Sequence, residues 1–498
     1  MAAPKPQKLA ADLLQIIADD EARLDRIDNY LNGIQDEPYM PANADSEYLL
    51  LAKRSITNWM PLILAGPAQA LYVDSFLPSR QVGAQEGRST PEWKHWQRSG
   101  LDSRQLAIHR GALTYGHSFT VTERKNGKIT TRGLSPLRTS ALFRDAANDV
   151  NPYAALTIVS MPTEDEKGTA TLWDDTKVYV VRFGSMTDAK SVTVNEGRAH
   201  GADENPVTRF AASVDLEGRT TGVVEPLIPI QNRINQTIFD LLLAQTYTSQ
   251  EVRTVSGMAP PMREVWYLNG QVSEEEPTAE NGGLDSEGQP TGGWELKREP
   301  IPMNHNASRF LFAEDPDTRF GTLPGGELGG LISSIDMSIR HISAVSQTPP
   351  HFMLGQIANL SAEALQAAET ALARKVDEYR SSFGESWERV FRLAGALGGD
   401  TAMADDFEGE VLWRDVEARS LAATADALGK LRQNVDAPAR GLWEMIPGIT
   451  QTQLVRWAEL REEEDADAQM AQALDRASRN LGGTTSTDAR PVTEDPAA

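Results

Sequence analysis

The residue types that could support catalysis do not form a catalytic pattern. The nearest match to a nucleophile elbow is Gly116-His117-Ser118-Phe119-Thr120, in which Thr replaces the final Gly and Ser118 opens a predicted strand. The acidic pairs Asp174-Asp175 and Asp405-Asp406 could hold the two metal ions of a nuclease, but turn-forming residues flank each pair and favour solvated turns. We therefore predict no catalytic residue, and we expect that the chain is not an enzyme.

Metal and cofactor binding are not indicated either. The chain contains no cysteine, and none of its seven histidines is spaced as a His-x3-His pair. The sequence also lacks a P-loop, a dinucleotide-binding glycine fingerprint, an HExxH motif and an EF-hand loop, each of which needs fixed spacing to work. We predict no metal site, no cofactor and no dependence on disulfides.

The charge balance limits how the protein could meet nucleic acid. The 498 residues include 71 acidic and 48 basic side chains, for a formal net charge of −23. Because neutralising phosphates requires clustered Lys and Arg, this balance excludes tight or sequence-specific DNA binding but not passing contact. The long uncharged stretch from Ser55 to Val73 contains two prolines, a glycine and polar residues, so no membrane span is expected. We expect a soluble, non-secreted protein of about three domains.

The pattern of the first 220 residues predicts helices followed by a small antiparallel sheet, which is an α+β arrangement. Asn126-Gly127 lies between two β-prone runs and predicts a tight hairpin, because both central residues of a type I′ turn need positive φ. Helices are predicted over Leu9–Leu31, from Ser46 to Trp59 with an interruption at Met60-Pro61, and over Asp102–Leu113. Further strands are predicted over Ala154–Ser160, Lys177–Phe183 and Ser191–Val194, with a polar turn over Thr163–Gly168.

The rest of the sequence is dominated by helical stripes. Asn269-Gly270 predicts a second hairpin, and the acidic residues 273–290 predict an exposed, mobile loop because they cannot bury a core. Further short helices are predicted from Glu410, and a disordered tail over residues 479–498. Long helices are predicted from Pro226 to about Gln250, over Leu331–Val345 with an end at Thr348-Pro349-Pro350, and from a cap at Ser361 to about Ala394.

Three stretches in this order resemble the portal proteins, the head-to-tail connectors of tailed bacteriophages, of the siphophage type. Residues 30–33, Tyr-Leu-Asn-Gly, are similar to the family's N-terminal Tyr-x-x-Gly element. Residues 107–119, AIHRGALTYGHSF, are similar to its helix-to-strand entry. Residues 342–368, ISAVSQTPPHFMLGQIANLSAEALQAA, resemble the junction of stem, tunnel loop and wing. Each motif is degenerate alone, and the resemblance rests on their order and spacing.

The resemblance implies a portal-type subunit of α+β class, with a mainly helical wing, stem and crown and small antiparallel β elements in wing and clip. The implied division is an N-terminal wing over 1–225, stem helix one over 226–251, a clip over 252–324, stem helix two over 325–346, a tunnel loop over 347–360, a long wing helix over 361–408, a crown over 409–478 and the tail over 479–498.

The resemblance also implies an assembly and its partners. Portals of this type form a ring, here expected to be a dodecamer, at one capsid vertex of the virion after assembly in the host cytoplasm. The expected partners are the terminase large subunit, a head-tail adaptor, the major capsid and scaffold proteins, and double-stranded DNA in transit without sequence specificity. No membrane partner is expected, and the terminase ATPase is expected to supply the energy for translocation.

Two groups of site residues follow from the resemblance. The tunnel loop is expected to line the DNA channel, with the alternative that all of its residues pack within the wing. Its residues are Thr348, Pro349, Pro350, His351, Phe352, Met353 and Leu354. The apolar stripes of the stem helices are expected to form the interface between subunits. Their residues are Ile230, Ile234, Ile238, Leu241, Ile335, Ile339 and Ile342.

Two other functions stay open at this point. A different ring-forming structural protein of the virion or its scaffold would share the helical layout. A carboxylate-dependent hydrolase would use the acidic pairs. The mass of the particle in solution tests these hypotheses: a particle of roughly twelve subunits supports the portal, whereas a stable monomer with metal-dependent turnover contradicts it.

Overall fold

A computed structural model describes most of the chain. The described residues are 5–41, 46–79, 90–249, 253–256, 262–273, 275–278, 280–300, 319–322, 328–355, 362–414 and 421–443, with short pieces between 445 and 470. The chain divides into two compact units, one formed by Met1–Thr237 with Ser334–Ala498 and the other by Ile238–Ser333. Helices and small antiparallel sheets are both present, which confirms the α+β class. No helix among the described residues has the length and apolar character needed to cross a membrane.

The N-terminal helices follow the predicted stripes with two corrections. Met60-Pro61 does not only interrupt a helix; it begins the next one. Proline is tolerated in the first turn, because the amide hydrogen that it lacks would have no partner within the helix there. The helix that starts after Thr90 was not predicted, although the Thr90 side chain caps it by accepting from the Trp93 amide at 3.2 Å. The helices are α1 (Pro6–Leu31), α2 (Ser46–Ser55), α3 (Met60–Ala70), α4 (Pro91–Ser99) and α5 (Leu101–Tyr115).

The strands of the first unit are antiparallel. Asn126 and Gly127 have φ of 50° and 75°, which confirms the predicted hairpin. The strand Gly168–Asp174 was missed, although Ala170 and Leu172 alternate with threonines as a half-buried strand requires. The strands are β1 (Val73–Leu77), β2 (His117–Lys125), β3 (Lys128–Leu134), β4 (Thr139–Leu142), β5 (Ala154–Ser160), β6 (Gly168–Asp174), β7 (Lys177–Phe183), β8 (Thr193–Val194), β9 (Arg198–Ala199) and β10 (Val207–Ala211).

These strands form two main sheets. One has the order β10-β2-β3, and the other has the order β4-β5-β6-β7-β8 with β9 paired to β7. The second sheet packs against α1, whose buried side chains Leu9, Leu13 and Ile17 meet Leu156 and Phe183 of the sheet. The predicted helix stripe and the predicted strands therefore build one core together.

The second unit is a helix end followed by short hairpins. The helix α6 (Ile228–Ser249) starts in the first unit, after a 3₁₀ turn that contains Pro226, and continues into the second. Asn269 and Gly270 have φ of 51° and 81° and confirm the second hairpin. The strands are β11 (Arg253–Ser256), β12 (Met262–Leu268), β13 (Gln271–Val272), β14 (Trp294–Pro300) and β15 (Arg319–Thr322), with sheet orders β11-β15 and β13-β12-β14.

The acidic stretch 273–290 is largely exposed, as predicted, and is folded into turns. Leu284 and Pro290 form an isolated bridge, and the Asp285 amide donates to the Gln289 carbonyl at 2.9 Å. The Asn281 side chain accepts from the amides of Thr278 and Gly283. Its mobility stays a prediction.

The C-terminal part contains one strand where helices were expected. The helices are α7 (Leu328–Ser346), α8 (Pro350–Leu354), α9 (Ala362–Gly398), α10 (Thr401–Ala404), α11 (Leu421–Val435) and α12 (Ala439–Trp443). The prediction of helices from Glu410 is wrong at its start, because β16 (Glu410–Trp413) pairs antiparallel with β1. The predicted cap Ser361 and the tail 479–498 lie outside the described residues.

The second half of α9 runs through an aromatic core. Trp387 lies 4.8 Å from Trp96 and 4.7 Å from Phe210 between ring centres, and Phe383 stacks on His109 at 5.1 Å. His109 is fully buried; its Nδ1 donates to the Leu71 carbonyl at 3.0 Å, and its Nε2 accepts from Trp387 Nε1 at 2.9 Å. The Trp387 donor needs a lone pair on Nε2 and therefore the neutral ring, and burial lowers the pKa of His109 to about 4.

A buried amide network fixes the start of α6. Gln231 Nε2 donates to the Thr57 carbonyl at 2.7 Å and to Asn235 Oδ1 at 2.9 Å. Asn235 Nδ2 donates to Gln35 Oε1 at 2.6 Å, and Gln35 Nε2 donates to Asn58 Oδ1 at 2.9 Å. Every one of these amides has a partner, so the network fixes how α6 sits against the loops after α1 and α2.

We predict that acid destabilises the fold through His109 and the buried His95, whose pKa burial also lowers to about 4. The unfolded chain takes up these protons below about 6.5 and the folded chain only near 4. The free energy of unfolding is therefore complete above pH 6.5 and falls as the pH drops toward 4, by about 1.4 kcal/mol per pH unit for each ring. Denaturant unfolding between pH 4 and 8 measures the slope. In the His109→Gln variant the slope of the free energy of unfolding against pH should decrease by the contribution of one histidine. An unchanged slope in that variant would contradict the role given to His109.

We predict that Gln231→Leu and Asn235→Leu each lower the free energy of unfolding by about 1–3 kcal/mol, because each leaves buried polar partners unpaired. Gln245→Leu, on an exposed position of α6, is the matched control and should change stability by less than about 0.5 kcal/mol. Denaturant unfolding of the variants measures the difference. Equal stabilities for all of them would show that the network contributes nothing.

Candidate functional site

The residues predicted for the stem lie on α6 and α7 with unequal exposure. Ile234, Ile339 and Ile342 are buried, and the other four are half-buried. The large apolar side chains that α7 does expose are different ones, Ile332 at 49%, Met337 at 52% and Val345 at 56%. The predicted role of the stripes between subunits stays a prediction, and the exposed positions of α7 are the ones that are free to meet another chain.

The helix α7 ends in a turn in which backbone amides of the next residues bond to the last carbonyls of the helix. Gln347 has φ of 56°, a left-handed conformation in which glycine is usual. The Thr348 amide donates to the Ser343 carbonyl at 3.0 Å, and the Gln347 amide donates to the Ala344 carbonyl at 3.3 Å. This is the hydrogen-bond pattern of a Schellman motif, so α7 ends at Ser346 before the two prolines are reached.

The predicted tunnel loop contains the short helix α8 and divides into two faces. Thr348, Pro349, His351 and Met353 are buried, and Leu354 is half-buried. Pro350 and Phe352 face solvent, with Phe352 exposed by 42%. Residues 356–360 of the predicted loop lie outside the described residues. Among the described residues of this segment, 347–355, the exposed side chains are those of Gln347, Pro350 and Phe352.

The first half of α9 braces this junction. Lys375 Nζ donates to the Ser346 carbonyl, the last of α7, at 3.0 Å. His351 Nε2 and Glu369 Oε1 lie 3.9 Å apart, which adds an ion pair when the ring is protonated. Burial lowers the pKa of Lys375 below the ordinary range of lysine. The helix α9 therefore contacts the junction with its first half and contributes to the aromatic core with its second half.

The sequence analysis does not predict the hydrogen bonds made by polar residues inside the apolar stripes. Gln231 and Asn235 lie four residues apart within the α6 stripe, and Tyr30 of the Tyr-x-x-Gly element donates to Asn232 Oδ1 at 2.6 Å. The signal that could have found them is an amide pair spaced i, i+4 among isoleucines, where a leucine would otherwise be expected. The sequence does not predict the contact of Lys375, because its hydrogen-bond partner is a backbone carbonyl.

The candidate catalytic residues have structural partners. Ser118 is buried and donates to the Ile108 carbonyl at 2.8 Å. Asp174 is partly buried, which opposes ionisation, but amides of Thr176 and Lys177 donate to it and hold its pKa below the ordinary value. Asp406 is not in a solvated turn as expected; it is buried and accepts from the Ser79 hydroxyl at 2.6 Å. In the described part of the chain, no three His, Asp or Glu side chains group as a metal site.

Comparison with known proteins identifies the family of the chain. Residues 12–467 match the family described as "Phage portal protein, SPP1 Gp6-like". A stretch of 130 residues is 35% identical to the portal protein of Mycobacterium phage D29 and 33% identical to that of Mycobacterium phage L5. Each stretch covers 26% of this chain, and it spans 27% of the D29 protein and 26% of the L5 protein, about a quarter of each relative. Because the family match extends over most of the sequence, the chain belongs to the SPP1 Gp6-like family of phage portal proteins.

Proposed function

We propose that this chain forms a ring-shaped channel at the capsid vertex of a virion, through which double-stranded DNA is packaged and later ejected. The observation that carries the proposal is the family match over residues 12–467. The ring is proposed to be a dodecamer, assembled in the host cytoplasm with major capsid and scaffold proteins. It would dock the terminase large subunit during packaging and a head-tail adaptor afterwards.

The charge of the chain supports a conduit rather than a clamp. With 71 acidic and 48 basic side chains, a ring of these subunits repels phosphate on balance. A channel must let DNA slide, and tight phosphate neutralisation would stop it. The chain provides no site for nucleotide hydrolysis by sequence motif, so a partner ATPase would supply the work.

The junction between α7 and α9 supports a contact role for α8. Phe352 and Pro350 are apolar and exposed on a short helix that follows the hydrogen-bonded end of α7. Apolar groups can touch DNA without holding its phosphates, which suits transit. The buried Thr348, His351 and Met353 would keep this helix in place.

We predict that the purified chain forms a dodecamer-sized particle. The mass per subunit is 54.5 kDa, so light scattering or native mass spectrometry separates a ring from a monomer without ambiguity. A monomer at all concentrations, with metal-dependent turnover on a nucleic acid or ester substrate, would refute the portal proposal and support the hydrolase.

We predict that Phe352→Glu leaves ring assembly intact and reduces DNA packaging or retention at least several-fold, because it adds a ring of negative charge facing phosphate. Val159→Glu, on a β5 side chain exposed by 60%, is the matched control and should package as the wild type does. The measurement is the protected DNA per filled capsid. Wild-type packaging by the Phe352 variant would remove α8 from the channel wall. This single change is sharper than deleting residues 348–354, since several of those residues are buried.

A further inference from the structure

An open groove runs between α5 and the end of β3 in the first unit. It is a cavity of about 610 Å³, within the range of about 300–1,000 Å³ typical of pockets that hold a ligand. Its floor is apolar and includes Leu31, Leu64 and Ile108. Gly133 allows β3 to come this close to α5, since a Cβ there would lie 2.8 Å from Ile108 Cγ1. The floor is thus suited to an apolar side chain.

Arginines surround this apolar floor. Arg104, Arg110 and Arg132 line the groove and are exposed. Arg132 pairs with Glu123 at 3.2 Å, whereas Arg104 and Arg110 have no ion-pair or hydrogen-bond partner among the residues that the structure describes. In a chain with 23 more acidic than basic side chains, two unpaired guanidinium groups at one groove favour a ligand that brings a carboxylate.

A turn elsewhere in the same unit carries the complementary chemistry. Leu216 is 91% exposed at its tip, and the exposed Glu217 beside it has no ion-pair partner among the described residues. The turn is preformed: Asp215 Oδ1 accepts from the amides of Glu217 at 3.0 Å and Arg219 at 2.8 Å, and Val214 bridges Thr220. A preformed tip loses little conformational entropy when it binds.

We propose that the groove between α5 and β3 of one copy receives the Leu216-Glu217 turn of a second copy. Leu216 fills the apolar floor, and the Glu217 carboxylate pairs with Arg104 and Arg110. Because groove and turn are different surfaces, the contact is heterologous, the type that closes into rings. The proposal rests on the assembly proposed above and assigns to it one specific contact.

Two other occupants fit the groove less well. A DNA backbone would satisfy the arginines, but it offers no apolar group for Leu31, Leu64 and Ile108. An acidic segment of a different protein would need its own apolar residue next to a carboxylate. The chain already presents that pair on a rigid turn, so a second copy is the occupant favoured by the described residues.

The test is a charge swap in the full-length chain. We expect that Arg104→Glu with Arg110→Glu, and separately Glu217→Arg, each raise the concentration at which rings dissociate by at least about tenfold, or about 1.4 kcal/mol. Combining the three changes should restore assembly. Leu216→Ser should weaken it without any change of charge at the arginines. Mass photometry over a dilution series measures the dissociation.

Matched controls reverse exposed charges outside the groove and the turn. Arg138→Glu and Glu164→Arg should leave dissociation as in the wild type. Circular dichroism checks that each variant folds, and rescue by the triple variant separates a direct contact from a folding defect.

The outcomes are distinct. Rings of wild-type strength in all variants, or failure of the triple variant to recover, overturn the contact while leaving the portal function intact. If the arginine variants form intact rings but lose DNA retention, the groove binds DNA and the proposed contact between subunits is overturned. If they form intact rings but lose binding of another virion protein, the proposed contact is overturned as well. A wild-type chain that stays monomeric refutes the proposed ring itself, and with it this contact.

Discussion

The hydrogen bonds of one buried histidine join three parts of the first unit. His109 on α5 joins the Leu71 carbonyl, after α3, to Trp387 on α9, and the bond from Trp387 needs the neutral ring. Phe383 and Phe210 close around it, and Ser386 donates to the Arg209 carbonyl of β10 at 2.9 Å. Aromatic packing gives this core its apolar area, while the histidine fixes which elements meet there. The position of α9, and therefore of everything braced by α9, depends on it.

The amide network plays the corresponding part for α6. An apolar stripe alone would allow α6 to slide or rotate by a residue, since isoleucines are interchangeable in a packed face. Gln231 and Asn235 remove that freedom, because any other position leaves buried amides unpaired. The Tyr30-Leu31-Asn32-Gly33 stretch joins the same region, because the Tyr30 hydroxyl donates to Asn232. Specificity at this helix comes from polar groups, and stability comes from the apolar ones.

Local chemistry explains which parts of the fold were readable from the sequence. Asn126-Gly127 specifies its hairpin through backbone sterics alone, and α1 and α9 follow from stripes that need no knowledge of partners. β16 was unreadable because its identity comes from pairing with β1 more than 300 residues earlier. The site was readable only in part: the order of motifs gave the portal resemblance, but the burial of His351 and Met353 depends on tertiary packing. The exposure of Phe352 depends on the same packing.

The length of α9 has a mechanical meaning. Its 37 residues make a rod about 55 Å long at 1.5 Å per residue, with no proline to bend it. One part of the helix supports the end of α7 through Lys375. The other part packs its Phe383 and Trp387 against His109, Trp96 and Phe210 of other elements. We therefore expect a displacement of the junction to be transmitted through α9 to the aromatic core. The helix thus connects the junction after α7 to the aromatic core through one continuous element.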